Sequence, residues 1–277
     1  MPLESLSLPK PDHLTPAETA AKAEDLGVSK STLPLGQSFA LSIMAGAFIS
    51  MGAMFFLLAV SDAALPFAAQ RVLGGVLFSL GLLLVVVCGA ELFTGNTLMV
   101  MTAASKRIRW SAVGKNWVVV FVGNFVGSLV MVGVVYLAGF ASMNDGAVGQ
   151  AIVSVAAGKM TPSWITLFAK GIMCNFLVCL AVWIAYASKT VADKMLGIML
   201  PIAAFVACGF EHCVANMFFL PFGILMATLG VAPAGVDLAS VSWAGATYNW
   251  SATVPGNIVG GAVFVGLMYW IAYRKRA

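Results

Sequence analysis

CGFEHCVANM, residues 208–217, sets Glu211, His212 and Asn216 between two runs that are almost wholly apolar. MLGIMLPIAAFVA (195–207) precedes it and FFLPFGILMATLG (218–230) follows. A second stretch, CGAELFTGN (88–96), repeats its pattern Cys-Gly-x-Glu-x-x-x-x-Asn at an offset of 120 residues. Further on, GNFVG (123–127) is matched in the same order by GNIVG (256–260). Ionisable groups recurring at matched places in apolar sequence raise two questions: what solvent surrounds them, and what they serve.

Composition answers the first. Hydrophobic residues make up 61% of the chain and charged residues 9%, with a mean hydropathy of +0.96. A soluble domain carries about 25% charged residues, so this chain cannot cover itself with a water-compatible surface, and the lipid bilayer is its expected partner. The net charge of +4 and its distribution show no nucleic-acid signature. Cys88, Cys174, Cys179, Cys208 and Cys213 are odd in number, lack zinc spacing and read as small buried hydrophobes. No metal, cofactor or catalytic motif is indicated: there is no GxSxG, HExxH or phosphate loop, and the chain does not read as an enzyme.

Six apolar stretches are long enough for a spanning helix of about 20 residues: 39–60, 72–103, 113–138, 164–187, 196–228 and 249–273. The second and fifth exceed one straight crossing, and each contains a glutamate. Basic residues cluster on one side: Lys10, Lys22 and Lys30, then Lys106, Arg107, Arg109 and Lys115, then Lys189 and Lys194, and finally Arg274, Lys275 and Arg276. Only Arg71 and Lys159 fall on the other, with Lys170 inside the fourth span. The positive-inside rule therefore places both termini in the cytoplasm. The organisation expected is a cytoplasmic segment over 1–38, a channel domain over 39–273 with repeats near 39–138 and 164–273, and a tail over 274–277. In TPAETAAKAEDLGVSKS (15–31), Thr15, Pro16 and Glu18 predict a capped surface helix, with Gly27 as its stop.

Three spans per copy is an odd number, so the second copy must enter the bilayer inverted. Corresponding interrupted helices in inverted repeats point to a substrate site near the midplane. Irregular backbone at that depth must be buried in protein or solvated by an aqueous path. Gly89, Gly95 and Gly209 ease it, and Pro201 and Pro221 bracket the second break. A half-helix starting inside the bilayer aims loose N–H groups and about half a positive charge at whatever lies there. Two such ends suit an anion or a polar solute needing donors.

Glu91 and Glu211 would each cost about 2.5–3.5 kcal/mol at a helix centre. They are expected to anchor the breaks by accepting from loose N–H groups, with Asn96 and Asn216 in similar work. His212 stands at the second break where the first has Leu92, which marks it as the functional histidine. Thr94 offers a hydroxyl beside the first break. Asn175 must face the protein interior or an aqueous path. Phe78 and Leu82 share one helix face; with Phe205 they read as either core or pore lining.

CGAELFTGN, the GN(F/I)VG pair, KGIMCNFLVCLAVW (170–183) and GFEHCVANM together resemble the formate/nitrite transporter family, nearest its formate channel branch, over about residues 22–273. The resemblance implies an all-α, aquaporin-like fold of six helices per protomer, assembled as a homopentamer with one pore per protomer, in a bacterial cytoplasmic membrane. It implies formate, a small monovalent anion, as substrate. It also implies that His212 and Thr94 form the pore centre, that Phe78 and Phe205 make the outer slit and Leu82 and Leu92 the inner slit, that Asn175 and Val178 complete the lining, and that Lys159 draws anions in. The capped N-terminal helix is implicated in gating. Gly95 departs from the serine found in a formate channel of the family. Nitrite and hydrosulfide are the neighbouring substrates. A neutral-solute channel of the aquaporin type is a further alternative, although its Asn-Pro-Ala motif is replaced here by Ala-Asn-Met and Thr-Gly-Asn.

Overall fold

The computed structural model describes residues 13–62 and 64–274; Lys10, Lys275 and Arg276 lie outside the described residues. Among the described residues the chain is helical throughout, with no strand. Helix α1 (Pro16–Thr32) opens on the expected capping box: Thr15 Oγ1 accepts from the Glu18 N–H, and the Glu18 carboxylate takes the Thr15 N–H at 2.8 Å. Gly27 does not stop it. The glycine lies inside the helix, where its missing Cβ makes room for the Thr102 side chain. The helix ends instead at Leu33, whose extended backbone is imposed by the following Pro34.

Among the described residues five helices are long and apolar enough to cross a membrane: α2 (Leu35–Val60), α3 (Phe67–Cys88), α6 (Trp110–Leu137), α8 (Trp164–Ala187) and a continuous helix over Trp243–Tyr273. The last joins α11 (Trp243–Ile258) through a π-helical segment, Val259–Leu267, to α12 (Met268–Tyr273). Several begin three to six residues before the expected spans, because the helices continue past the apolar window. Only 33–50% of each apolar window is buried. The outward faces are thus large, continuous apolar surfaces that water would not tolerate, and this is a membrane protein.

The two overlong spans are broken. After α3 the chain re-enters as α4 (Phe93–Asn96), a 3₁₀ turn at Thr97–Met99, and α5 (Val100–Ala104). After α9 (Val191–Ala207) it re-enters as α10 (Cys213–Thr228). Each long half-helix ends on a left-handed glycine, Gly89 at φ 79° and Gly209 at φ 72°, a conformation that costs glycine nothing. Gly95 does not share that role, for it sits within α4. Pro201 and Pro221 lie inside α9 and α10, which continue through them.

One element was not anticipated. Helix α7 (Ala147–Met160) occupies a stretch read as loop and packs on α10. Helix α1 packs on α5 and α8. The cysteines also divide: Cys174, Cys179 and Cys213 are buried as expected, but Cys88 and Cys208 are exposed. Each of those two immediately precedes a left-handed glycine, where the helix end no longer covers its side chain.

Candidate functional site

Asn124 on α6 holds the first break. Its Oδ1 accepts from the Phe93 N–H (3.0 Å), and its Nδ2 donates to the carbonyls of Glu91 (2.9 Å) and Ser42 (2.8 Å). Asn257 on α11 does the same for the second, accepting from the Cys213 N–H (2.9 Å) and donating to the carbonyls of Glu211 and Gly171 (both 2.8 Å). Both asparagines stand in the GN(F/I)VG pair, which was the signal that could have identified them.

The glutamates take side-chain donors instead of the backbone N–H groups assigned to them. Glu91 binds Lys30 Nζ (2.5 Å) and Asn96 Nδ2 (2.7 Å), and the same Nδ2 reaches Asn116 Oδ1 (2.9 Å). Glu211 binds Lys159 Nζ (3.1 Å) and Asn216 Nδ2 (2.7 Å), which reaches Asn249 Oδ1 (2.8 Å). A buried carboxylate is tolerable only when so paired. Lys30, Asn116 and Asn249 escaped the sequence reading because each partner lies far along the chain.

His212 caps α10. Its Nδ1 accepts from the Ala215 N–H (3.0 Å), while Nε2 lies 3.0 Å from Thr94 Oγ1 on α4. An N–H aimed at Nδ1 requires a lone pair there, so the neutral ring carries its proton on Nε2. One hydrogen bond thus joins the two breaks. Asn175 supports it from α8, donating to the carbonyls of Thr94 (3.3 Å) and Asn257 (2.7 Å) and to Thr97 Oγ1 (3.1 Å). Val178 is buried in the core.

Apolar groups flank this centre. The Phe78 ring meets Phe205 edge-on at 5.7 Å, and Phe205 stacks on the His212 ring at 5.9 Å. These three close the floor of a cavity of about 340 Å³ that Arg71, Lys159, Lys170 and Glu211 also line. A second cavity of about 380 Å³ has Leu82, Val85 and Leu92 at its floor, with Lys22, Lys30, Lys194 and Glu91 on its walls. This second vestibule lies on the face where α1 and the end of α12 meet, since buried Glu24 binds Arg274 through Nε (3.1 Å) and Nη2 (3.0 Å). We call it the terminal vestibule and the other the distal vestibule. In the terminal one, partial burial and then nearby Lys194 hold the Lys22 ammonium below the usual lysine value. Lys159 lines the distal vestibule, but its ammonium rests on Glu211 and over the Phe219 ring at 5.4 Å.

A family model described as Formate/nitrite transporter matches residues 17–271. The chain is 40% identical to Formate channel FocA of Escherichia coli strain K12, covering 95% of this chain and 96% of that one. It is 38% identical to Formate channel FocA of Haemophilus influenzae, over 92% and 93%. Among solved structures, one described as a pentameric formate channel with formate bound superposes with a TM-score of 0.79 at 37% identity. It covers 87% of this chain and 98% of its own.

Proposed function

The chain belongs to the formate/nitrite transporter family, and from that premise we propose that it is a channel carrying formate and related small monovalent anions across the bacterial cytoplasmic membrane. The protein works as a homopentamer of six-span protomers, each a 3+3 inverted repeat with its own pore, in which α9 and α10 together make the crossing beyond the five long helices. The segment 1–38, with α1, and the tail 274–277 lie in the cytoplasm, on either side of a channel domain over 39–273. The terminal vestibule then faces inward and the distal vestibule outward.

One observation carries this reading: two cation-lined vestibules meet at an apolar septum, and a single polar pair, Thr94 and His212, bridges its centre. A bare anion crossing such a septum faces a desolvation cost of tens of kcal/mol. Protonating a carboxylate of pKa about 3.9 at pH 7 costs only about 4 kcal/mol. The anion is therefore concentrated by the vestibules, hydrogen-bonded at the centre by His212 Nε2–H and Thr94, and passed through the slits as the neutral acid.

The geometry constrains how His212 takes part. Charging the ring puts a proton on Nδ1, which must then release the Ala215 N–H at about 1–3 kcal/mol. The imidazolium forms transiently by taking a proton from vestibule water, gives its Nε2 proton to a carboxylate oxygen, and remains as a neutral ring protonated on Nδ1. Loss of the Nδ1 proton to water and uptake of one at Nε2 restore the capped tautomer and reset the site. Asn175 keeps Thr94 in place, Phe78 with Phe205 and Leu82 with Leu92 exclude water, and Val178 packs behind them.

The test is flux into proteoliposomes at matched gradients of formate, nitrite and hydrosulfide at two pH values, with glycerol as control. Fast formate and slow glycerol are expected. Glycerol moving as readily as formate would return the protein to the neutral-solute class. His212→Asn with an unchanged pH dependence of formate flux would remove the proton-transfer step.

A further inference from the structure

The distal vestibule holds three cations and one carboxylate, and they are not equivalent. Lys159 is committed to Glu211, within the chain that continues to Asn216 and Asn249. Arg71, near the start of α3, donates to two carbonyls at the end of α9: Nη2 to Val206 (2.7 Å) and Nε to Ala207 (3.1 Å). Those bonds fix the guanidinium, also stacked over Phe56 at 5.6 Å, and leave Nη1 without a protein acceptor among the described residues. No carboxylate lies within ion-pair reach of it there. Lys170, on the first turns of α8, donates to nothing among the described residues, although its carbonyl accepts from the Glu211 N–H (3.3 Å). Arg71 and Lys170 are therefore two positive charges beside the His212 floor with no contact ion-pair partner among the described residues, one from each half of the chain.

Resting on the channel reading above, we propose that Arg71 and Lys170, and not Lys159, form a carboxylate-docking site that loads the pore from the distal side, and that small dicarboxylates occupy the same site as blockers. At about 30 Å³ per water, the cavity has room for about ten molecules, so a docked anion keeps part of its hydration. Arg71 supplies a fixed fork suited to a carboxylate and Lys170 a mobile point charge. A monocarboxylate leaves once it gains one proton. A dicarboxylate engages both cations and needs two protons to enter the apolar slit, so it stays.

Formate uptake is measured in right-side-out and inside-out membrane vesicles, with oxalate outside as the probe. In the parent, oxalate inhibits from the distal side. Lys170→Gln raises the half-inhibitory oxalate concentration and the half-saturating formate concentration about five-fold, as expected for one partly screened charge. Arg71→Gln does the same, and Arg71→Lys restores most of the affinity while keeping the helix-end contacts. Among the described residues Lys170 makes no side-chain hydrogen bond or ion pair, so its variant tests the site even if Arg71→Gln assembles poorly. A parent that carries formate yet ignores oxalate, or a Lys170→Gln protein with unchanged half-saturation and inhibition, overturns the docking site. A parent without formate flux overturns the channel reading itself.

Discussion

The two breaks are built from the same parts and do different things. Lys30, Glu91, Asn96 and Asn116 at the first correspond to Lys159, Glu211, Asn216 and Asn249 at the second, where Asn249 Nδ2 adds bonds to Glu211 (3.3 Å) and to the Lys159 carbonyl (2.8 Å). Trp117 donates to the Asn96 carbonyl (3.0 Å) and Trp250 to that of Cys213 (3.3 Å). Against this doubled scaffold the groups proposed to act on the substrate are single. Where the second break has His212 the first has Leu92, and where the first has Thr94 the second has Val214. The support differs too. In the first half Gly46 lies against Ser128, whose hydroxyl reaches the Gly46 carbonyl (3.4 Å). In the second the sizes are exchanged: Asn175 lies against Gly261, which has no Cβ to collide with it. Asn175 can therefore cross to Thr94, and among the described residues no side chain makes the reciprocal bond to Val214. The π-helical segment that carries Gly261 has no counterpart in α6, which is α-helical throughout. What is duplicated holds the backbone open; what is not duplicated meets in one contact, His212 with Thr94.

That contrast can be broken by experiment. The largest effect is expected where the scaffold is shared. Glu91→Leu strands Lys30 and the Asn96 amide, Glu211→Leu strands Lys159 and the Asn216 and Asn249 amides, and each should destabilise the protein by about 3–5 kcal/mol. Thermal unfolding in detergent checks this; a large loss in one half only would show that the duplication is not energetic. Next comes exchange of the unshared groups. His212→Leu should lower formate flux about 100-fold, whereas the mirror change Leu92→His should leave its pH profile in place; a second histidine that supported flux in the His212→Leu background would erase the contrast.

A smaller loss is expected from Thr94→Val, about tenfold for one hydrogen bond of roughly 1.4 kcal/mol, with no recovery on adding Val214→Thr, because Asn175 supports only one break. The smallest concerns α1, whose counterpart α7 has no such latch among the described residues. Arg274→Gln should weaken the Glu24 clasp by no more than about 1 kcal/mol, since the arginine is partly exposed. Faster proteolysis before α2 with unchanged cleavage near α7 would register it.

Much of this was legible in the chain. The glutamates with their glycines located both breaks, and capping chemistry at Thr15 located the start of α1. Helix α7 was not legible: AVGQAIVSVAAGKM is shorter than a span, starts without a side-chain cap and is rich in glycine and alanine. Lys30 read as a topogenic charge, since nothing local shows that it meets Glu91, 61 residues away. Asn124 and Asn257 were visible as a repeated motif but without a role, because their partners are backbone groups of another element.

The sequence alone determined the solvent and the two places, at Gly89 and Gly209, where long helices stop, since hydropathy and left-handed glycine act within a few residues. Only the tertiary structure decided which polar groups meet. It put His212 on Thr94, tied Lys159 to Glu211, and left Arg71 and Lys170 facing an open vestibule. Hydrogen bonds and ion pairs depend on ångström distances between residues remote in the chain, and those distances exist only once the helices have packed.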